Sequence, residues 1–366
     1  MGKEKLFIDG SKLEWHTDWV KKWLSGENVF PIHVEISPSS GCNHRCTLCC
    51  VDYKKHKRVD LSPEVMRRIP RDFQEAGVKS FLLAGEGEPL LNRYCEDLLL
   101  ESKQRGIDAA ITSNGVLFTP KLAESVLDCL SWTRFSMQAA SPDLYSEIHR
   151  TKKSDFYRVV ENIRNAVRIK NERGLDGKIG IQQILINENI GEVLDMAKLS
   201  KEIGVDYYTV KRFSKHKNNS YDVPEEWWKG AVSQFTEAEK LSDEKFSVQV
   251  RWNQFVNQPR SYTRCIGLPA ITQILASGEI YPCCQFFDNS EMSYGDMNKQ
   301  TFKEIFESTR AKKIMKFIEE KYDLSGCMTY CRHHSTNIVL TAIRENPGSL
   351  PDTNPSGEPP EHKNFI

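Results

Sequence analysis

Short apolar runs of strand type alternate with longer stretches of helical period along the first two-thirds of the chain. Ile32-His-Val-Glu-Ile-Ser37 has β-branched alternation, and Val78-Lys-Ser-Phe-Leu-Leu-Ala84 has the pattern of a buried strand. The same reading predicts strands near Asp108–Ser113, Trp132–Gln138, Lys178–Ile186 and Asp206–Arg212. Between them, Phe156, Val159, Val160, Ile163 and Val167 recur at helical spacing after the cap candidates Ser154 and Asp155. Another helix is predicted from N-cap Ser62 and Pro63 to a stop at Gly77, with Pro70 expected to kink it. Strand–helix alternation predicts an α/β fold with a parallel sheet and right-handed crossovers. Six such units predict a partial (β/α)6 barrel, in which ligands gather at the carboxyl ends of the strands.

The rhythm then changes. Lys211–Pro224 is polar and turn-rich and marks the exit from the barrel. A helix containing Trp227 and Trp228 is expected next, then a strand near Phe246–Trp252. Ser277-Gly278 predicts a hairpin turn, and Tyr294-Gly295-Asp296 precedes an amphipathic helix. These signals divide the chain into an N-terminal helical extension (1–30, helix around Trp15–Leu24), a barrel (31–215), a connecting helix and strand (216–258), a small hairpin-plus-helix domain (259–340) and a tail (341–366). The tail is rich in Pro, Gly and charge from Asn346 onward, so disorder is the expectation. Docking of its apolar Phe365-Ile366 end as a lid over the barrel mouth is the alternative.

Formal net charge is zero over 366 residues and no basic run stands out, which disfavours a nucleic-acid partner. No apolar stretch is long enough to span a bilayer and no charged-then-apolar signal follows Met1, so no membrane association and a cytoplasmic location are expected. Eleven cysteines in such a chain point to metal sites, not disulfides. Cys95 and Cys129 fall in helix-like segments and read as buried apolar residues.

The loop after the first strand carries Cys42-Asn-His-Arg-Cys46-Thr-Leu-Cys49. Three thiolates on a 4Fe–4S cube leave one iron open to an exogenous ligand. Structural zinc, the other use of such thiols, favours C-x2-4-C or His pairs that complete a tetrahedron. The C-x3-C-x2-C spacing resembles the signature of the radical S-adenosylmethionine (SAM) enzymes, in which SAM chelates the open iron. Leu48 stands where that family usually has an aromatic residue. Gly85-Glu86-Gly87-Glu88-Pro89, at the end of the second strand, resembles the family's GGEP motif with Glu86 in place of one glycine. Glycines there allow close backbone approach to SAM. Asn114, after the third strand, and Ser136 and Gln138, ending the fourth, resemble positions that contact SAM or substrate; ordinary turn and cap chemistry is the alternative. Lys211 and Arg212, ending the sixth strand, could bind a carboxylate or phosphate, or be surface charge.

A second cysteine set follows. Cys265-x12-Gly278-x4-Cys283, then Cys327-x3-Cys331, resembles the opening and close of SPASM and Twitch domains, which hold an auxiliary 4Fe–4S cluster. Five cysteines in this region, Cys284 included, fit the shorter Twitch version with one cluster. The resemblance implies Cys265, Cys283, Cys327 and Cys331 as its ligands, with Cys284 a neighbour able to replace Cys283; zinc is again the alternative. A fully ligated cluster cannot bind substrate directly and serves electron transfer or structure.

The resemblance implies reductive cleavage of SAM to a 5′-deoxyadenosyl radical that removes a hydrogen atom from a substrate in the barrel. A flavodoxin or ferredoxin is the expected electron donor. A two-electron oxidation of a sugar, aminocyclitol or nucleotide-sugar is the first reading. A redox-neutral epimerase, with Cys284 or Cys50 returning a hydrogen atom, is the first rival. A peptide-modifying maturase is the second, disfavoured because only about thirty residues precede the first strand. A non-enzymatic iron–sulfur electron carrier needs neither a barrel nor an open iron.

Overall fold

The computed structural model describes residues 9–224, 226–255, 260–287, 289–328 and 331–366. Six parallel strands form its centre: β1 (His33–Ile36), β2 (Ser80–Leu83), β3 (Asp108–Ser113), β4 (Leu130–Ser136), β5 (Lys178–Leu185) and β6 (Tyr207–Arg212). They lie side by side in chain order, as strand–helix alternation requires. The sheet continues at both edges. β7 (Ser247–Val250) pairs parallel with β6, and β8 (Ile271–Ile274) pairs parallel with β1. β9 (Glu279–Tyr281) then pairs antiparallel with β8, and β10 (Gly295–Asp296) antiparallel with β9. The sheet stays open, with β10 and β7 as its ends. The expected six-stranded core is therefore present, but the strand of the connecting region and the hairpin of the small domain are part of the same sheet. A partial barrel leaves unpaired backbone groups along both edges, and these strands satisfy them.

Helices cover the outer face. α1 (Thr17–Leu24) is preceded by a separate 3-10 turn at Gly10–Trp15, so the helix expected around Trp15 breaks at His16. α2 (Pro63–Ala76) begins at Ser62, whose hydroxyl accepts from Val65 N, and ends at Gly77 in the left-handed region (φ 76°); the helix continues through Pro70. α3 (Cys95–Gln104), α4 (Pro120–Val126) and α5 (Pro142–His149) follow. α6 (Lys153–Arg173) starts two residues earlier than even the first cap candidate implies: Lys152 is its N-cap, and Ser154 and Asp155 lie inside the first turn. α7 (Val193–Ile203), α8 (Val232–Glu239), α9 (Phe302–Glu307), α10 (Thr309–Glu320) and α11 (His334–Glu345) complete the set. Trp227 and Trp228 sit on a 3-10 turn leading into α8. α11 runs across the expected boundary at 340. Among the described residues no helix is long and apolar enough to cross a membrane.

Period-two alternation sorts each strand into an outer and an inner face. Val34, Phe81, Ile111, Phe135, Tyr208 and Val210 join the helix-packed core. The inner residues line a lumen. At the amino ends of the strands this lumen is sealed by the chain's last residues. Phe365 is fully buried, with its ring 5.4 Å from those of both His33 and Trp132, and it clusters with Leu82 and Ala110. Ser80 Oγ donates to Asn364 O (2.6 Å), Asn364 Nδ2 donates to Asp108 Oδ2 (2.7 Å), and Lys12 Nζ donates to the carbonyls of Glu361 and His362. The end of the tail thus plugs the floor of the barrel, which corrects both expectations for it. Pattern alone could not show this, because two apolar residues dock wherever tertiary contacts leave an apolar gap.

Candidate functional site

The triad loop leaves β1 and is held from several sides. Arg45 N and Thr47 N donate to the carbonyls of His149 and Ile148 at the end of α5, and Cys49 N donates to Cys46 O. The Gly85–Pro89 run lies directly against it. Gly85 has φ 107° and packs on Ser37, while a Cβ on Gly87 would collide with the carbonyl of Gly41. Glu88 N donates to that same carbonyl (2.8 Å). The close backbone approach expected of these glycines is thus made first to the cysteine loop.

The two acids of the run hold elements together. Buried Glu88 accepts from Ser113 Oγ (2.8 Å), Asn114 N (2.8 Å) and Leu90 N (3.2 Å), joining the ends of β2 and β3. Burial pushes its pKa up, against the pull of these hydrogen bonds. Glu86 pairs with Lys54 and accepts from Ala276 N (3.0 Å) in the β8–β9 hairpin. The departure from a glycine therefore ties the triad loop to the second cysteine domain. Asn114 reaches the triad loop, donating from Nδ2 to Asn43 Oδ1 (2.6 Å). Ser136 ends β4, paired with Gln182 of β5. The Gln138 side chain accepts from Ile184 N (2.7 Å), so its carbonyl is committed to the β4–β5 junction. Lys211 lines the lumen. Arg212 lies on the opposite face with Tyr208 and Val210 and donates to Gln254 O (3.4 Å), so the expected Lys211/Arg212 pair is corrected to Lys211 alone.

Burial raises the pKa of all three thiols: Cys42 upward, Cys46 well above its ordinary value, Cys49 to about 12 with neighbouring thiolates adding to the effect. Three clustered thiols do not ionise together without a cation among them, and the positive iron core of a cluster is such a cation. The donor set fits a three-ligand iron–sulfur site.

His149, far away in sequence, escaped the sequence reading. Its Nε2 accepts from Gln138 N (3.1 Å), which places the ring proton on Nδ1, 3.2 Å from Cys46 Sγ. Burial keeps the imidazole neutral. His44 meets it edge-on, ring centroids 5.1 Å apart, and donor atoms of His44, Cys46 and His149 lie within 4.8 Å of one another.

The hairpin turn at Gly278 (φ 93°) brings the second set together. Cys265, Cys283, Cys284, Cys327 and Cys331 border one narrow cavity. Cys283 feels Cys284 most strongly, then Cys265 and Cys331, whereas Cys284 feels Cys50 before Cys331 and also borders the lumen. Burial raises all of them, and neighbouring thiolates add to it for all but Cys331, taking Cys265 and Cys284 to about 12. Two supporting residues also escaped the sequence reading. Asn337 on α11 donates to Cys265 Sγ (3.4 Å) while its Oδ1 accepts from Ile266 N and Gly267 N. Arg260 donates to the carbonyls of Leu324, Cys327 and Met328. Between the two sets, Asn219 Nδ2 donates to Cys49 O (3.1 Å) and the His216 ring meets Cys284 O (3.3 Å).

Two family models match the chain: the radical SAM superfamily over residues 36–209 and the SPASM iron–sulfur cluster-binding domain over residues 265–335. The chain carries a radical SAM domain and a C-terminal SPASM domain, which indicates an enzyme with a SAM-binding 4Fe–4S cluster and an auxiliary iron–sulfur cluster. GTP 3',8-cyclase of Syntrophomonas wolfei is 30% identical over 177 residues, 46% of this chain and 52% of that protein. The tungsten-containing aldehyde ferredoxin oxidoreductase cofactor-modifying protein of Pyrococcus furiosus is 24% identical over 180 residues, 48% of this chain and 49% of that protein. The chain thus spans about half the length of the curated relatives it matches. Among solved structures, Streptococcus suis SuiB bound to S-adenosylmethionine aligns with TM-score 0.63 at 17% identity, covering 81% of this chain and 70% of that one. The AdoMet-bound anSMEcpe structure aligns with TM-score 0.57 at 16% identity, covering 86% of this chain and all of that one. These likenesses establish the fold.

Proposed function

We propose that this enzyme abstracts a hydrogen atom from a small molecule in the lumen and that the outcome is a two-electron oxidation. One observation carries the reading: a single cavity of about 410 Å³ is bordered by Cys50, next to the triad, and by Cys284 and Cys331 of the second set. That size is within the usual range for a small-molecule site. Cys42, Cys46 and Cys49 would hold the SAM-binding cluster, and Cys265, Cys283, Cys327 and Cys331 the auxiliary one. When bound, the first supplies the electron that cleaves SAM to a hydrogen-abstracting radical, and the second supplies a one-electron acceptor. The chain itself positions and excludes water. Gly85, Glu86, Gly87 and Glu88 meet SAM through their backbone, since both carboxylates are engaged elsewhere. Asn114 and Ser136 stand at neighbouring strand ends, Gln138 supports them, and the Phe365 plug keeps water from the floor.

The substrate class favoured is a sugar, aminocyclitol or nucleotide-sugar. The cyclase relatives are named for GTP, a nucleotide, which supports the nucleotide-linked choice. An epimerase is the second reading, favoured by two thiols, Cys50 and Cys284, on the lumen wall. SuiB has been solved with a precursor peptide, and a maturase role is the outcome to test against. Anaerobic turnover of deuterated candidate substrates decides between them. Oxidation yields deuterated 5′-deoxyadenosine and a product lighter by two hydrogens, with Cys50→Ala and Cys284→Ala still active. Epimerisation yields a product that gains one deuterium from heavy water and fails in one of those variants.

A further inference from the structure

The lumen wall has an excess of cations. Arg134 on β4, Lys211 on β6, Arg251 just after β7 and Arg332 beside Cys331 all line it, against Glu35 and Asp9. Among the described residues Glu35 is engaged with Arg332 and Gln273, and Asp9 accepts from Ser11 N while its charge also acts on Arg251. Arg134 is 9% exposed; it donates to Thr112 Oγ1 (3.0 Å), lies over the Trp132 ring, and keeps a buried Nε with no partner. The Lys211 side chain makes no hydrogen bond or ion pair among the described residues; the charges of Arg251, Arg332 and Arg134 act on it, and Cys50 lines the same cavity. Burial and those three guanidiniums push it down to about 7.

Like charges gathered in a cavity repel one another and cost stability unless an anion completes them. A neutral sugar would leave that repulsion in place, and one carboxylate would offset a single charge. A phosphate or diphosphate brings two or more charges and several acceptor oxygens in the geometry guanidinium forks prefer. The cations are spread along the strands: Arg134 pairs with Gly180 of β5, and Lys211 pairs with Ile184, four positions further toward the carboxyl end.

We propose that Arg134, Lys211 and Arg251 bind a phosphate or diphosphate group of the substrate, so that the enzyme acts on a phosphorylated or nucleotide-linked sugar and not on a free one. This rests on the lumen being the substrate site. Calorimetry on anaerobically reconstituted enzyme, with pyrophosphate, uridine diphosphate, uridine and an acidic peptide as probes, tests it, alongside separate measurement of SAM cleavage. The expected result is binding of pyrophosphate and uridine diphosphate but not uridine, weakened at least tenfold in Lys211→Met and in Arg134→Met and unchanged in the surface variant Lys198→Met. Equal affinity in wild type and both lumen variants overturns the proposal, as does binding of the peptide alone. Absence of SAM cleavage in the wild type would instead defeat the underlying enzyme reading. Circular dichroism of each variant guards against loss of fold.

Discussion

The two ends of the barrel are built to opposite rules. At the floor, Phe365, Trp132, Leu82 and Ala110 form a dry apolar cluster, and the surrounding polar groups of Ser80, Asp108, Lys12 and Asn364 have partners. At the mouth, three thiols, a run of glycines and the cations Arg134, Lys211, Arg251 and Arg332 converge, and among the described residues the Lys211 side chain makes no hydrogen bond or ion pair. The floor has what packing and hydrogen bonding require for stability. Burial displaces titratable groups at both ends, but at the floor it leaves His33 and His362 neutral, whereas the mouth gathers thiols and like charges, the arrangement expected of a site for chemistry.

The contrast predicts that changes at the mouth remove function and changes at the floor remove stability. The largest effect is expected for Cys42→Ala/Cys46→Ala/Cys49→Ala, which should abolish SAM cleavage to 5′-deoxyadenosine. Reconstituted wild type should hold about eight irons and the triple variant about four, by cluster stoichiometry. Stoichiometric zinc without charge-transfer absorbance would remove both cluster assignments. At the floor, Phe365→Ala should cost about 3–5 kcal/mol, typical of emptying a buried aromatic site, read as a lowered urea midpoint. SAM affinity per folded molecule should stay unchanged. An unshifted midpoint would show that the plug contributes nothing.

A third expectation concerns pH. With Lys211 lowered to about 7 in the fold, the unfolded chain binds more protons above that pH, so its contribution makes stability rise from about pH 7 toward its ordinary value. An anion in the lumen restores the ammonium, so binding takes up a proton and pyrophosphate affinity should fall as pH rises through 7 to 9. Lys211→Met should flatten that profile; an identical slope in the variant would place the titration elsewhere. The smallest effect is expected at His149. Its Nδ1–H donates toward Cys46 Sγ, and donors to cluster sulfur tune its potential. His149→Leu should lower the midpoint potential in an EPR-monitored titration while SAM still binds, with His149→Asn restoring part of the shift. No change in potential would leave His149 a packing residue.

Much of this was legible locally. The register of apolar residues placed β3 at its observed bounds and the other core strands within about two residues, because alternation is a property of neighbouring positions. Cysteine spacing identified both thiol sets, since ligand number and loop length are written along the chain. Other features have no local signature. Arg212 reads like Lys211 until the strand's facing is known, and Ser154 reads as a cap until α6 starts at Lys153. Glu86 appears as a defect in a glycine motif until Lys54 and Ala276 are found on its two oxygens.

The sequence by itself determined the kinds of element, their order and the residues able to bind iron, because these depend on periodicity, turn chemistry and spacing. Only the tertiary structure decided which distant groups meet: β8 against β1, His149 beside Cys46, Asn337 beside Cys265, Phe365 beneath Trp132, and Arg134, Lys211, Arg251 and Arg332 around one cavity. Closing a sheet into a barrel sets these neighbours through the geometry of the whole chain, and the sealed floor and charged mouth exist only once it has closed that far.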